Sequence, residues 1–278
     1  MPYGVANVTG RVLHEEAKKI IHIANSFGMD TLDTAIAYGD SESTLGQIGV
    51  SSWRVISKLP ALPDGCDDVI EWAKKQTSES LNRLGINRLD GLLLHRPGQL
   101  LEQRGRLLLT ALEELKSEGI VSKIGVSIYD PDELSPLFDI KTFDIIQSPL
   151  NILDRRLLKS GWASQLNNSG VEIHTRSAFL QGLLLMPSHE RPEKFKRWDT
   201  LWQAWESWLS CTGLEPLEAC TRFSLSVKEV DRVIVGTDSS AQLLQILSAS
   251  EGRLDDLPDF GQSSDLDCLI NPGLWNKL

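Results

Sequence analysis

The sequence predicts an α/β protein built as a (β/α)8 TIM barrel, incomplete at its N-terminus and showing seven recognisable strands. Short apolar runs alternate with amphipathic helical patterns along most of the chain, as in repeated strand–helix units. No GxGxxG follows the first apolar run, which disfavours an open doubly wound sheet holding a dinucleotide. The length of 278 residues suits a barrel, a fold that commonly closes one core with about 250 residues. No linker rich in proline, glycine or serine divides the chain, so residues 1–278 are read as one domain.

The elements follow in order. Leu13, Ala17, Ile20, Ala24 and Phe27 recur at helical spacing and stop at Gly28, a glycine suited to a helix C-terminus. The runs MDTLDTA (29–35), WRVISKLP (53–60), LDGLLLHRP (89–97) and SKIGVSIYD (122–130) read as strands. FDIIQSPLN (143–151), VEIHTRSA (171–178) and DRVIVGT (231–237) complete the series. Their near-continuous apolar character fits parallel strands covered on both faces. Between them, DDVIEWAKKQTSESLNRLG and LLTALEELKSEG read as helices ending at Gly85 and Gly119. A helix thus precedes the first visible strand. Either a strand lies hidden in the first ten residues, which look like a loop, or the chain begins late, for example at an internal methionine of a longer reading frame.

Composition narrows the function. A formal net charge of −10 argues against a surface that collects nucleic acid. The cysteines Cys66, Cys211, Cys220 and Cys268 are widely spaced, without CxxC or Cys/His pairing, which points to unpaired thiols in a reducing compartment and to no metal site. The start MPYGVANVTG lacks the features of a signal peptide, and no apolar run reaches the roughly 18 residues of a membrane span. A cytoplasmic location is expected, with a small molecule as partner and neither nucleic acid nor membrane.

In a barrel, chemistry gathers where the carboxyl ends of the strands meet the following loops. Asp33, Lys58 and His95 stand near the ends of three neighbouring strands, and Tyr38 lies in the loop after Asp33. A free tyrosine titrates near pH 10, and each unit of downward shift takes about 1.4 kcal/mol of preferential phenolate stabilisation. A lysine ammonium beside the hydroxyl supplies that, Asp33 keeps the lysine charged and in place, and His95 orients a carbonyl oxygen or joins in proton transfer. Taken singly, each residue is equally a turn former, a loop cover or a salt-bridge partner. Their joint placement on adjacent strands carries the reading.

With DTAIAYGDSESTLG, ISKLP, LLLHRP, KIGVS, IIQSPLN and VGTDSSAQL in this order over most of residues 29 to 247, the chain resembles the aldo-keto reductase superfamily. The resemblance implies that Asp33, Tyr38, Lys58 and His95 are the catalytic tetrad, with Tyr38 as acid toward a substrate carbonyl and hydride from NADP(H) or NAD(H). It also implies that Ser127 and Gln147 bind the nicotinamide carboxamide, that Ser177 lies near the pyrophosphate, and that Gly236, Thr237, Ser239 and Gln242 lie around the adenosine end. Without the family, GTDSS before AQLLQIL reads simply as a capped helix start. The sequence departs from the pattern in places. Ile128 replaces a common asparagine, Arg176 replaces the aromatic residue that stacks on the nicotinamide, and Gln245 and Ile246 replace a Glu-Asn pair near the adenine. A guanidinium also stacks as a plane. Asp238 stands where relatives carry a base for the 2′-phosphate, which leaves NAD against NADP open.

The expected activity is reduction of an aldehyde, ketone or sugar-like carbonyl, or oxidation of the alcohol. Two rivals are a nicotinamide-binding sensor or accessory protein with little turnover, and an aldolase-type barrel using Lys58 as a Schiff base. Trp198, Trp202, Trp205 and Trp208 form a helical stripe read as a packing face more than a substrate platform. Residues 154–160 read as a helix start with solvated charges, 252–267 as an acidic surface tail, and PGLW as a tuck of Trp275 against the body.

Overall fold

The computed structural model describes residues 12–254, 256–258, 260 and 265–278. The expectation of a hidden strand in the first ten residues lies outside them. All seven expected strands form: β1 (Thr31–Asp33), β2 (Arg54–Leu59), β3 (Leu89–Leu94), β4 (Val121–Ser127), β5 (Ile145–Pro149), β6 (Glu172–Arg176) and β7 (Arg232–Val233). Each pairs in parallel with the next, in the order β1 to β7, giving a curled half-barrel with helices between the strands.

The helices are α1 (His14–Ser26), α2 (Ser41–Ile48), α3 (Val69–Leu84), α4 (Gly105–Ser117), α5 (Leu134–Phe138), α6 (Arg156–Lys159), α7 (Trp162–Asn168), α8 (Asp199–Thr212), α9 (Pro216–Ser226), α10 (Ser240–Ala249) and α11 (Leu266–Ile270). Local chemistry fixes their ends. Asp68 caps α3 by accepting from the Glu71 amide at 2.9 Å, and Gly85 ends it at φ 66°, a conformation other residues resist. The apolar stripe of α1 buries at Ala24 and packs at Ile20 and Ile23, whereas Leu13 and Phe27 at its two ends are exposed.

One large core lies between the strands and α3, α4, α5 and α7, rich in leucine, valine and isoleucine. Inside the half-barrel, Ile56, Leu93 and Ile145 form a small apolar layer. Gly91 makes room for it: a Cβ there would stand 2.7 Å from Ile56 Cδ1 and 2.8 Å from Ile145 Cδ1. A second core gathers Trp198, Trp202, Trp205, Phe195, Phe223 and Trp275. The tryptophan stripe is therefore a packing face. Trp202 donates to the Phe195 carbonyl at 2.9 Å and Trp275 to that of Leu269 at 2.8 Å, so their polar edges are satisfied within the apolar setting.

Two expectations need correction. Of the charges at 154–160, Lys159 is exposed as expected but the first are not solvated: Asp154 is 1% exposed and binds Arg156 at 2.9 Å, and Arg156 also pairs with Asp130. The carboxylate at the start of α6 thus clamps a guanidinium across two loops. The described part of 252–267 is not only an acidic surface either, because Leu254 and Phe260 pack against the second core.

The strand beginnings make a charged floor. His174, Glu172, Lys123, Arg232 and Thr31 are among the residues around a small cavity of about 20 Å³ there. Among the described residues, β1 and β7 share no ladder. Side chains span the seam instead, as Arg232 donates to Thr31 Oγ1 at 3.1 Å and to Asp30 Oδ2 at 3.2 Å. On the outer side, Glu16 of α1 accepts from both the amide and the hydroxyl of Ser240 in α10, each at 2.6 Å.

Candidate active site

At the opposite end, β1 finishes at Asp33, β2 delivers Lys58 and β3 leads directly into His95. Parallel register aligns these ends: Asp33 pairs with Ile56 and Lys58 with Leu93, while the His95 amide continues the ladder by donating to the Leu59 carbonyl at 3.1 Å. Alternation along each strand then turns all three side chains inward.

Lys58 is 1% exposed. Its Nζ lies 2.5 Å from Asp33 Oδ2, donates to the Thr34 carbonyl at 2.9 Å and stands 5.4 Å from the centre of the Tyr38 ring. The Tyr38 and His95 rings meet edge to face with centres 5.7 Å apart. The four expected catalytic side chains are thus brought together, and the Thr34 carbonyl, which sequence reasoning missed, completes the lysine's surroundings. A backbone carbonyl carries no residue-type signal.

Burial pulls the Lys58 pKa below the usual lysine value, Asp33 opposes that pull by charge and hydrogen bond, and the Arg176 guanidinium adds to it. The His95 pKa is also lowered, first by burial and then by the positive charges of Lys58 and Arg176. A neutral imidazole beside a phenol and a buried ammonium can donate or accept a hydrogen bond without adding charge to the cleft.

Gln147, fully buried, donates from Nε2 to Asp33 Oδ1 at 2.7 Å and is linked to Ser127 at 3.2 Å. The remaining amide hydrogen of Gln147 and the hydroxyl of Ser127 form a donor and acceptor pair beside the tetrad, which fits a primary carboxamide. Arg176 donates to the Ile128 carbonyl at 2.9 Å and lies over the Tyr129 ring at 4.6 Å. Ser177 follows at φ 65°, a backbone state that is costly for a residue with a Cβ, and its carbonyl accepts from Asn151 at 3.1 Å.

Gly236, Thr237, Asp238 and Ser239 form the turn into α10, and Gln242 stands in the helix's first turn. Several of the polar groups here are engaged within the chain. Ser239 caps the Gln242 amide at 3.1 Å, Gln242 accepts from the Asp238 amide at 2.8 Å, and the Ser240 amide is held by Glu16. The amides of Asp238, Ser240 and Gln242 are therefore not free to bind a phosphate. Sequence reasoning missed Glu16, whose partner is 224 residues away.

The sequence model of the Aldo/keto reductase family matches residues 1–257. The oxidoreductase sirO of Leptosphaeria maculans is 27% identical over 202 residues, covering 69% of this chain, and the chain spans 60% of that relative's length. L-galactose dehydrogenase of Arabidopsis thaliana is 27% identical over 264 residues, covering 88% of this chain and 81% of the relative. In fold, the chain is similar to an aldo-keto reductase of Bacillus halodurans in its holo form, with a TM-score of 0.72 at 21% identity, covering 97% of this chain and 94% of that one.

Proposed function

The chain belongs to the aldo/keto reductase family and is an oxidoreductase, and from that premise we propose that it reduces a sugar-like carbonyl, or oxidises the corresponding alcohol, with Tyr38 as general acid. The observation that carries the reading is the buried Lys58 ammonium, held by Asp33 at 2.5 Å and facing the Tyr38 ring. A positive charge this close favours the phenolate, so the phenol gives up its proton more readily than in water. When bound, a reduced nicotinamide supplies hydride to the carbonyl carbon. Tyr38 passes its proton to the carbonyl oxygen, Lys58 stabilises the phenolate left behind, Asp33 fixes Lys58, and neutral His95 orients the oxygen. Solvent then returns a proton to Tyr38, which balances the reaction.

Ser127 and Gln147 hold the carboxamide in this reading, and Arg176 with Ser177 borders the cofactor. Gly236, Thr237, Ser239 and Gln242 serve the adenosine end. Glu16 and Asp238 place acidic groups at the start of α10, with burial raising the pKa of Asp238. These acids disfavour a 2′-phosphate, so NAD(H) is the preferred cofactor. The sugar-like substrate is supported by the likeness to the L-galactose dehydrogenase of Arabidopsis thaliana. No helix among the described residues is long and apolar enough to cross a membrane, and a cytoplasmic location is part of the proposal.

The test is Tyr38→Phe with para-nitrobenzaldehyde and a panel of aldoses, after titration with NADH and NADPH. Turnover is expected to fall by about 10² to 10⁴, the usual contribution of a positioned proton donor, while NADH affinity stays unchanged and exceeds that for NADPH. Retained turnover refutes the role of Tyr38. NADH binding without any turnover in the parent protein favours the sensor instead.

A further inference from the structure

The carboxylate of Glu42 is 1% exposed and lies outside the tetrad, yet it sits in the first turn of the helix that follows Tyr38. Its Oε1 accepts from Ser57 Oγ at 2.7 Å and from Ser80 Oγ at 2.6 Å. Its Oε2 accepts from Arg83 Nε at 2.8 Å, with Arg83 Nη2 2.7 Å away. A carboxylate taken out of water is tolerated because both oxygens are engaged and a cation stands beside it.

These bonds connect three elements. Glu42 belongs to α2, Ser57 to β2 directly before Lys58, and Ser80 and Arg83 to α3. The segment between β1 and α2 is also fastened at its other side. Ser41 Oγ lies 3.1 Å from Thr34 Oγ1, the Ser41 amide donates to the Tyr38 carbonyl at 3.1 Å, and the Tyr38 amide donates to that of Ala35 at 2.9 Å. Thr34 supplies the carbonyl that holds Lys58. Beyond the carboxylate, Gly46 brings α2 against α3 so closely that a Cβ there would lie 2.1 Å from the Arg83 carbonyl oxygen.

We infer that Glu42 is a positioning residue that sets the contact between Tyr38 and Lys58, by anchoring the helix behind the phenol to the strand that carries the ammonium. The inference rests on the catalytic reading above and adds a residue to it. A helix fixed at one carboxylate holds the phenol in register with the lysine, and displacements of about 1 Å near reacting groups cost up to about 10²-fold in rate. The contact also sets how acidic the phenol is, since the effect of an ammonium on its neighbour weakens with distance.

The experiment measures kcat, KM and the pH dependence of kcat for reduction of para-nitrobenzaldehyde by NADH, in the parent protein, Glu42→Gln and Ser57→Ala. Glu42→Gln keeps the shape and removes the charge, and Ser57→Ala removes a single bond while leaving the Arg83 pair. Loss of kcat by about 10-fold or more in Glu42→Gln is expected, with KM and NADH affinity unchanged. The alkaline limb of kcat is expected to move up by about one pH unit, because a phenol farther from the ammonium is a weaker acid. Ser57→Ala is expected to shift the limb in the same direction by less, and it carries the test if Glu42→Gln does not fold. An unmoved alkaline limb in a folded variant overturns the inference, whatever happens to thermal stability. Tyr38→Phe is run alongside: retained turnover there sinks the catalytic reading, whereas lost turnover with an unmoved limb in the Glu42 and Ser57 variants sinks the positioning role alone.

Discussion

The mouth and the floor of the half-barrel draw ionisable groups from opposite ends of the same strands, and they satisfy them to different degrees. At the mouth, Lys58 meets Asp33 and the Thr34 carbonyl, and Asp33 is shared with Gln147. At the floor, Glu172 pairs with Lys123, but His174 at 2% exposure makes no hydrogen bond at either ring nitrogen among the described residues. Its Nε2 approaches Glu172 Oε2 to 3.4 Å, outside hydrogen-bonding geometry. A pre-set network suits the proton transfer proposed for Tyr38. A buried imidazole without a bond costs stability.

The largest expected effect comes from breaking the mouth. Lys58→Met should reduce turnover by about 10² or more and raise the pH at which the remaining activity fails, measured as kcat against pH. A variant as active as the parent would erase the difference between the two ends. His174→Leu should act oppositely, leaving turnover unchanged and raising stability by about 1 kcal/mol, since removing an unbonded buried polar group relieves its desolvation cost. Urea titration checks the stability, and a loss of turnover would make the floor part of the site.

The same variant sharpens the pH behaviour. The pKa values of His174 and His95 are both lowered, with burial as the first cause. Below about pH 6.5 the unfolded chain therefore binds protons that the folded chain refuses, so stability falls as pH drops through that window. Melting temperatures between pH 7 and pH 5 should fall less steeply in His174→Leu than in the parent. The smallest effect is expected at the seam, where Arg232→Met should cost less than about 1 kcal/mol, because partly exposed ion pairs contribute little. Urea titrations at low and high salt should show the difference between variant and parent shrinking as salt rises.

The strands were legible because a parallel strand buried on both faces is mostly apolar, as the Leu-rich β3 and the Ile145–Ile146 start of β5 are. Ends were less legible. The apolar run 231–237 yields only Arg232–Val233 as strand, since β7 has a partner on one side alone among the described residues. Asp33, Lys58 and His95 were visible as ionisable residues closing consecutive strands. Glu42 and Glu16 were not, because a carboxylate's burial depends on partners that tertiary structure brings from elsewhere. Those of Glu42 are 15, 38 and 41 residues away. His174 lay in a recognised strand, and only the packed interior shows that both its nitrogens lack a bond among the described residues.

The Arg232 bridge bears on how this wall deforms. A ladder of amides fixes spacing and register together, whereas a guanidinium on a flexible stem fixes neither and follows its acceptors as they shift. Among the described residues no amide ladder joins β1 to β7, so this joint rests on side chains alone, the Arg232 guanidinium within the sheet and the Glu16 carboxylate on Ser240 outside it, and its spacing follows theirs.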